Sequence, residues 1–380
     1  MGVNVSRKIE MVDLVSQYEK AKPEIDAAIK EVIETSKFIN GPAVKDFQAD
    51  LEKYLDVKHV IPCANGTDAL QVALMALDLK RGDEVITSNF TFAATVETIA
   101  FLGLTPVLVD VDPHTFNIDI KELEKAITPK TKAIIPVHLF GQCADMEAVL
   151  AVAKKNNLFV IEDTAQAIGA EYTFSNGTKK KAGTMGHIGT TSFFPSKNLG
   201  CYGDGGALYT NDDNLAKKCK MICNHGQSVQ YHYEILGINS RLDSIQAAIL
   251  KIKLKYLDSY AAARNKAAAY YDKAFANNPK IATPARAKNS THVFHQYTLV
   301  LNGVDRNKLK EQLAAKEIPA MVYYPVPLHS QPAYKHPANE GKKFPVTDKL
   351  CSSVISLPMH TELSEETLKY ITTSFLEIIK

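Results

Sequence analysis

The sequence predicts an α/β protein with a large, mostly parallel sheet domain and a smaller C-terminal α+β domain. Two patterns carry this prediction. Strand-like and helical segments alternate along residues 57–163, and strands separated by helices of this length pair through right-handed crossovers into a parallel sheet. A long helical pattern at 240–275, rich in Ala, Leu and Lys, then joins this part to a second set of strands and helices. The 380 residues also exceed the ~100–200 of one ordinary domain.

The elements of the large domain follow from local periodicity. Short runs of apolar residues predict strands, and apolar residues that recur every three or four positions predict the helices between them. The predicted strands are 59–63, 84–87, 106–109, 133–139 and 159–161, followed by 170–174, 190–194 and 206–210. The predicted helices are 66–77, 93–102, 121–127, 146–155 and 215–223. Asn176-Gly177 predicts a hairpin turn.

The small domain is predicted from the segments after the long helix. Strands are expected at 293–301 and 319–324, with helices at 306–316 and from Ser364. The Pro-rich stretch 324–337 is expected to be a long functional loop. We place an N-terminal helical arm at 1–30, the large domain at 31–250 and the small domain at 251–380.

Composition excludes several classes of protein. Lys plus Arg (44) nearly balances Asp plus Glu (42), so the net charge of +2 argues against nucleic-acid binding. No apolar stretch approaches the ~18 residues that span a bilayer, and Met1 to Glu10 contains no apolar signal segment. The six cysteines form no C-x-x-C pair, which favours reduced thiols and no metal site. We therefore expect a soluble cytoplasmic enzyme without nucleic-acid or membrane partners.

Four segments carry candidate chemistry at the carboxyl ends of strands, where ligands of open α/β sheets bind. Segment 65–68 (Asn-Gly-Thr-Asp) presents backbone N–H groups at a helix start, which indicates an anion site or an ordinary helix cap. Asp163 ends a hydrophobic strand, where an unpaired charge is costly. Lys197 lies among aromatic residues and glycines in segment 192–200. Segment 203–206 (Gly-Asp-Gly-Gly) allows close backbone approach.

Together these segments indicate one cofactor. The motifs for nicotinamide dinucleotides, ATP loops and zinc peptidases are absent. An anion cradle, a strand-end Asp and a desolvated Lys are what pyridoxal phosphate requires. Lys197 would bind the cofactor covalently, Asp163 would keep its ring nitrogen protonated, and Phe92 would stack on the ring.

Seven segments follow one another in the order of a known family. They are Asn-Gly-Thr-Asp-Ala-Leu at 65–70, Gly-Asp-Glu-Val-Ile at 82–86, Pro-Val-His-Leu-Phe-Gly at 136–141, Glu-Asp with Gln166 at 162–166, Ser-Phe-Phe-Pro-Ser-Lys at 192–197, Gly-Asp-Gly-Gly at 203–206 and Asn-Ser-Arg-Leu-Asp at 239–243. The chain resembles the DegT/DnrJ/EryC1/StrS family of sugar aminotransferases from about residue 13 to its C-terminus. The resemblance implies fold type I, pyridoxal phosphate and an obligate homodimer with shared active sites.

The resemblance also implies roles for the residues that bind the cofactor. Lys197 would be the Schiff-base lysine and the proton shuttle, and its aldimine, near Asp163 and the phosphate, would titrate far below a free lysine. Asp163 would pair with the ring nitrogen, and Gln166 would bond the phenolic oxygen. Phe92 stands where relatives often have Tyr or Trp. The phosphate would be held by Gly66, Thr67 and Ser192, together with Asn239 of the partner subunit.

Substrate residues follow from the same resemblance. Arg241 is the candidate for a carboxylate of glutamate or of a uronic acid. Tyr231 and His232 lie in a stretch that resembles the sugar-nucleotide loop of relatives acting on 3-keto sugars. Tyr323-Tyr324 replaces the His-Tyr pair common in the group that aminates UDP-2-acetamido-2-deoxy-3-oxo-glucuronate, the most similar branch.

The sequence thus predicts a ping-pong aminotransferase that moves an amino group from glutamate to a nucleotide-linked ketosugar for surface polysaccharide. The aminated carbon (C3 or C4), the nucleotide and any pairing of dimers stay open. One alternative is a sugar dehydratase of the same family, which commonly has His where this chain has Lys197. The other is a binding protein without chemistry, for which a desolvated amine has no use.

Overall fold

A seven-stranded sheet is the centre of the computed structural model, which describes residues 8–380. The strands are β1 His59–Cys63, β2 Glu84–Ser88, β3 Thr105–Val109, β4 Thr131–Ile135, β5 Phe159–Asp163, β6 Glu171–Thr173, β7 Lys179–Lys181, β8 Ile188–Ser192, β9 Gly206–Thr210, β10 Gln227–Val229, β11 His232–Tyr233, β12 Ile281–Ala282, β13 Tyr297–Leu301 and β14 Val354–Leu357. The order in the sheet is β1-β9-β8-β5-β4-β2-β3. Strands β8, β5, β4, β2 and β3 are parallel, whereas β9 is antiparallel to both of its neighbours. The predicted large, mostly parallel sheet is confirmed.

Helices cover both faces of this sheet. They are α1 Leu14–Thr35, α2 Pro42–Leu55, α3 Gly66–Ala76, α4 Ala94–Phe101, α5 Ile120–Ala126, α6 Met146–Asn156, α7 Asp213–Cys223, α8 Ser244–Leu254, α9 Leu257–Phe275, α10 Arg306–Ala314, α11 Pro345–Ser353 and α12 Glu365–Ile378. Successive strand residues face opposite layers, so Ile135 packs in the cluster with α3 and α7 while Ile134 packs in the cluster with α6. Burial on both faces explains the continuous apolar runs of these strands.

The long helical pattern at 240–275 is two helices, α8 and α9, rather than one. It also begins at Ser244 instead of residue 240, because Asn239 forms a bridge with Asn224 and Ser240 Oγ accepts a hydrogen bond from Ala64 N–H. Helix α8 packs on α1 and α2, whereas the second half of α9 joins the core of the small domain. The predicted domain limits stay predictions. The first seven residues of the arm lie outside the described residues, and α1 continues to Thr35.

The small domain contains an antiparallel sheet, β12-β13-β14, covered by α9, α10 and α12. The predicted strand 293–301 is too long, because residues 293–296 turn away to bond the large domain, with Val293 N–H donating to Gly141 O at 2.8 Å. The predicted strand 319–324 is wrong. Only Met321 pairs there, through an isolated bridge to Ser356 of β14, and β14 takes the position beside β13.

Two shorter features were also predicted. The turn at Asn176-Gly177 joins β6 and β7, and Gly177 has a φ of +83°, so the hairpin is confirmed. The Pro-rich stretch 324–337 contains two short 3-10 turns, Leu328–Ser330 and Pro332–Tyr334, and a third, Pro337–Asn339, follows. No helix within residues 8–380 combines the length and apolar composition needed to cross a membrane.

Candidate active site

Asp163 is the last residue of β5 and is 5% exposed. Its carboxylate accepts hydrogen bonds from Thr95 Oγ1 at 2.9 Å and from Ala165 N–H at 3.1 Å. Its backbone is paired as well, because Asp163 N–H donates to Pro136 O and His138 N–H donates to Asp163 O, both at 3.0 Å. The structure therefore holds a carboxylate at a fixed position at the carboxyl end of a central strand.

Lys197 follows β8 in a tight loop. Its backbone N–H donates to Phe194 O at 2.8 Å, and Cys201 N–H donates to Phe193 O at 2.8 Å. The side chain is half-buried, and desolvation lowers the pKa of its amine from 10.5 to about 8, although nearby Asp163 acts in the opposite direction. Among residues 8–380, no carboxylate forms an ion pair with this amine. An amine with this pKa is partly neutral near physiological pH, and the neutral form is the one that can act as a nucleophile.

Three segments meet at the start of α3. Asn65 caps the helix, with its side chain accepting from Asp68 N–H at 2.8 Å. A Cβ on Gly66 would lie 2.7 Å from Ser192 Cβ, and one on Gly206 would lie 2.4 Å from the Asn65 carbonyl carbon. Only glycine lets the helix start approach Ser192 this closely, so backbone N–H groups of this helix start border a corner beside Ser192, an arrangement that suits an anion.

Gln166 is fixed between two aromatic residues. Its Oε1 accepts from Phe140 N–H at 2.8 Å, and its Nε2 donates to Tyr324 Oη at 2.9 Å. Burial raises the pKa of the Tyr324 hydroxyl, so this group stays protonated.

The Phe92 ring is 58% exposed and its centroid lies 6.4 Å from that of Tyr324, which leaves a ring face free for stacking. Tyr323 lies beside Tyr324, with ring centroids 6.0 Å apart.

The structure joins predicted cofactor residues in local groups, since Gly66 approaches Ser192 and Lys197 lies near Asp163. The predicted substrate residues of 231–241 lie apart from them. Tyr231 and His232 lie on the exposed hairpin β10–β11, and Tyr231 is 75% exposed. Arg241 donates through Nε to Asn239 Oδ1 at 2.8 Å, so these two side chains pair with each other at the surface. In the described chain, neither these three residues nor Asn239 forms a hydrogen bond with Lys197.

Sequence reasoning missed three residues that support Asp163. Thr95 carried no signal, because it is one of two threonines in a short apolar helix. Glu162 and His138 lie in segments with recognisable patterns, but only the folded chain joins their side chains, at 2.9 Å. No group of three or more His, Cys, Asp and Glu side chains within residues 8–380 could hold a metal ion.

The residues present fit pyridoxal phosphate. The cofactor needs an amine for its aldehyde, a carboxylate for its ring nitrogen and a donor-rich corner for its phosphate. Lys197, Asp163 and the corner at Gly66 and Ser192 provide these groups at the carboxyl edge of one sheet. Fold and site together define the class of enzymes that use this cofactor on an α/β sheet.

The chain belongs to the DegT/DnrJ/EryC1/StrS aminotransferase family, which it matches over residues 19–376. It is 48% identical to a protein named pleiotropic regulatory protein from Geobacillus stearothermophilus, over 98% of this chain and 99% of that one. It is 47% identical to the UDP-2-acetamido-2-deoxy-3-oxo-D-glucuronate aminotransferase of Pseudomonas aeruginosa, over 96% and 98% of the two chains. It is also 43% identical to the UDP-N-acetyl-3-dehydro-alpha-D-glucosamine 3-aminotransferase of Acidithiobacillus ferrooxidans, over 96% of both.

Solved structures agree with this assignment. An aminotransferase of the same family from Brucella abortus superposes with a TM-score of 0.91 at 41% identity, covering 97% of this chain and 99% of that one. NtdA from Bacillus subtilis, solved with its bound cofactor PMP, gives a TM-score of 0.86 at 34% identity, covering 95% and 82%. The predicted fold type I architecture is confirmed.

Proposed function

We propose that the protein is a pyridoxal-phosphate-dependent aminotransferase that moves an amino group from glutamate to a nucleotide-linked ketosugar. The observation that carries the proposal is the desolvated Lys197 amine beside the buried Asp163 carboxylate. A half-buried amine whose pKa is lowered to about 8 has a direct use as nucleophile and proton carrier.

Each residue of the site has a role in this proposal. When bound, the cofactor supplies an electron-withdrawing ring that makes the proton on the substrate's amine-bearing carbon labile. Asp163 would pair with the ring nitrogen, and Gln166 would bond the phenolic oxygen. Lys197 would hold the cofactor covalently and would carry a proton to and from the substrate carbon. Phe92 stacks on the ring.

The phosphate is held at the start of α3. Gly66 and Thr67 direct backbone N–H groups toward it, and Ser192 contributes its hydroxyl. These groups belong to α3 and β8, which the close approach of Gly66 to Ser192 keeps together. Asn239 completes the cradle from the partner subunit in this proposal.

The substrate is proposed from the relatives and from side-chain chemistry. The two relatives named for UDP-linked 3-keto sugars are 47% and 43% identical to this chain over nearly its whole length, which favours a UDP-linked sugar aminated at C3. Arg241 is suited to a carboxylate, either of glutamate or of a uronic acid. Tyr231, His232 and Tyr323-Tyr324 contact the sugar nucleotide in this proposal, and the product serves surface polysaccharide or lipopolysaccharide biosynthesis in the cytoplasm.

A homodimer with shared active sites accounts for large apolar side chains that a single chain leaves exposed. The hairpin and the segment after it carry large exposed apolar side chains, with Tyr233 64% and Leu236 88% exposed. Exposure of this kind typically marks an interface. A second subunit that covers this region would bring Asn239 and Arg241 toward its own Lys197.

The alternative activities are disfavoured by the same residues. A dehydratase of the family commonly has His at the position of Lys197. The regulatory name of the Geobacillus relative belongs to that protein, and a regulator that only binds ligands has no use for a desolvated amine facing a buried carboxylate.

The proposal is tested with glutamate labelled with ¹⁵N in its amino group. The holoenzyme is incubated with a UDP-linked 3-keto sugar, its uronic acid counterpart or a dTDP-linked 4-keto sugar, and products are identified by mass spectrometry. We expect label in an aminosugar from a UDP-linked 3-keto substrate, with Lys197→Ala as the inactive control. Label only in the dTDP-linked 4-amino sugar would overturn the substrate assignment, and no label in any product would overturn the activity.

A further inference from the structure

A buried, hydrogen-bonded pair of ionisable side chains lies on the face of β5 opposite the proposed active site. Glu162 and His138 are both 0% exposed, and Glu162 Oε2 lies 2.9 Å from His138 Nε2. Because side chains alternate along a strand, Glu162 points away from the face that presents Asp163. Burying such a pair is expensive unless its remaining hydrogen bonds are satisfied.

Every oxygen of the Glu162 carboxylate is used. Oε2 accepts from Gly183 N–H at 2.8 Å in addition to His138, and Oε1 accepts from Met185 N–H at 2.7 Å and Gly186 N–H at 2.5 Å. All of its partners in the described chain are donors. Glu162 therefore acts as an ionised carboxylate, since a protonated one would place a hydrogen against a donor.

The imidazole of His138 has one tautomer that fits its neighbours. Its Nδ1 accepts from Ala144 N–H at 3.0 Å, so the proton of the neutral ring lies on Nε2 and is donated to Glu162. Both ring nitrogens are thus engaged, and the ring cannot rotate without breaking a buried hydrogen bond.

His138 and Pro136 hold the backbone of Asp163 from both sides. His138 N–H donates to Asp163 O, and Asp163 N–H donates to Pro136 O, so β5 is fixed to the segment that contains the imidazole. Glu162 is bonded through its side chain to that imidazole, and its carbonyl accepts from Thr190 Oγ1 at 3.1 Å in β8. A shift of Asp163 would therefore break the contacts of Glu162 and His138 together.

We propose that His138 and Glu162 form a positioning pair that fixes the Asp163 carboxylate beneath the ring nitrogen of the cofactor. The inference rests on the role proposed for Asp163. Neither residue touches the cofactor in this arrangement. Both act by fixing the backbone of Asp163, which sets the direction of its carboxylate. Loosening the pair would allow Asp163 to move, which weakens protonation of the ring nitrogen and slows the chemical step more than substrate binding.

The decisive readout is the ¹⁵N chemical shift of ring-labelled pyridoxal phosphate in the holoenzyme, which reports protonation of the ring nitrogen. We expect Glu162→Gln and His138→Leu to move this shift toward that of Asp163→Asn and to lower kcat about 10–100-fold with little change in KM. His138→Gln keeps a side-chain donor for Glu162 and should recover much of both values. The control Tyr172→Phe removes the 2.6 Å hydrogen bond to Asp145, elsewhere in the same domain.

The outcomes separate the two hypotheses. If Asp163→Asn leaves the ring-nitrogen shift unchanged, the role proposed for Asp163 is wrong. If Asp163→Asn changes it while both pair variants match Tyr172→Phe in shift and kcat, the positioning pair is wrong and the residues are structural. Should Glu162→Gln fail to fold, the comparison of His138→Leu with His138→Gln decides, because rescue requires the donor.

Discussion

Thr95 Oγ1 donates a 2.9 Å hydrogen bond to Asp163 Oδ2, and both side chains are buried. Thr95 lies in the first turn of α4, in the chain segment that follows Phe92. The bond therefore joins the residue proposed to bind the ring nitrogen to the helix beside the residue proposed to stack on the ring. It orients one carboxylate oxygen of Asp163, while Ala165 N–H donates to the other.

Thr95→Val should weaken cofactor binding. The substitution keeps the shape of the side chain but removes a donor to a charged group, at a cost of about 1–2 kcal/mol, which corresponds to about 5–30-fold in Kd. Titration of the apoenzyme with pyridoxal phosphate measures this value. Thr98→Val is the matched control, since Thr98 Oγ1 donates only within the same helix, to Ala94 O at 3.0 Å. Equal affinities for the two variants would show that Thr95 does not orient Asp163.

Lys197→Ala should bind the cofactor without a covalent link and lose about 10²–10⁴-fold in kcat, because the proton carrier is absent. Borohydride reduction followed by mass spectrometry detects the link. Lys253→Met is the control, since desolvation also lowers the pKa of this buried lysine to about 8. The account fails if Lys253→Met abolishes the link and Lys197→Ala retains it.

Covalent capture of pyridoxal phosphate by the apoenzyme should depend on pH through Lys197. Its pKa is lowered from 10.5 to about 8, so the amine is protonated and unreactive below that value and neutral above it. The initial rate should rise between pH 7 and 9 and then level off. A rate that continues to rise through pH 10.5 would indicate an ordinary solvated lysine.

Gly66→Ala should disrupt the phosphate corner. The new Cβ would lie 2.7 Å from Ser192 Cβ, so α3 and β8 must separate, at a cost of about 1–3 kcal/mol. Cofactor affinity and thermal unfolding of the apoenzyme measure the effect. Gly203→Ala is the control, because its new Cβ meets only the amide end of the Gln246 side chain, at 3.1 Å, and no backbone. Similar losses in both variants would argue against a specific contact at Gly66.

Shared active sites predict recovery of activity in mixed dimers. Lys197→Ala and Asn239→Ala should each be impaired, but a heterodimer contains one site with an intact Lys197 and a partner's intact Asn239. After unfolding and refolding an equal mixture, we expect about a quarter of wild-type activity, since half the dimers are mixed and half their sites are intact. If Asn239 acts within its own chain, mixing restores nothing.

The large sheet could be predicted because its strands and helices follow from local apolar periodicity. Lys197 and Asp163 could be found because Asp163 ends one strand and Lys197 follows another, and both strands end at the same edge of the sheet. The errors of the prediction also have physical causes. Residues 293–296 have the composition of a strand, but Val293 and Gln296 pair with the large domain instead.

The support of Asp163 could not be predicted from the sequence. Thr95 is 68 positions from Asp163 and His138 is 24 positions from Glu162, and only packing brings their atoms within hydrogen-bond distance. Arg241 and Asn239 pose a different problem. A single chain leaves both side chains at the surface, so their proposed role depends on a second subunit.

The central claim is tested most directly by the absorption spectrum of the purified holoenzyme before and after excess glutamate is added. We predict a yellow band from the cofactor bound to Lys197, which glutamate replaces with the shorter-wavelength band of pyridoxamine phosphate as 2-oxoglutarate is released. Lys197→Ala should not complete this conversion. A protein that remains colourless with added pyridoxal phosphate, or a yellow band that glutamate leaves unchanged while no keto acid forms, would contradict the account.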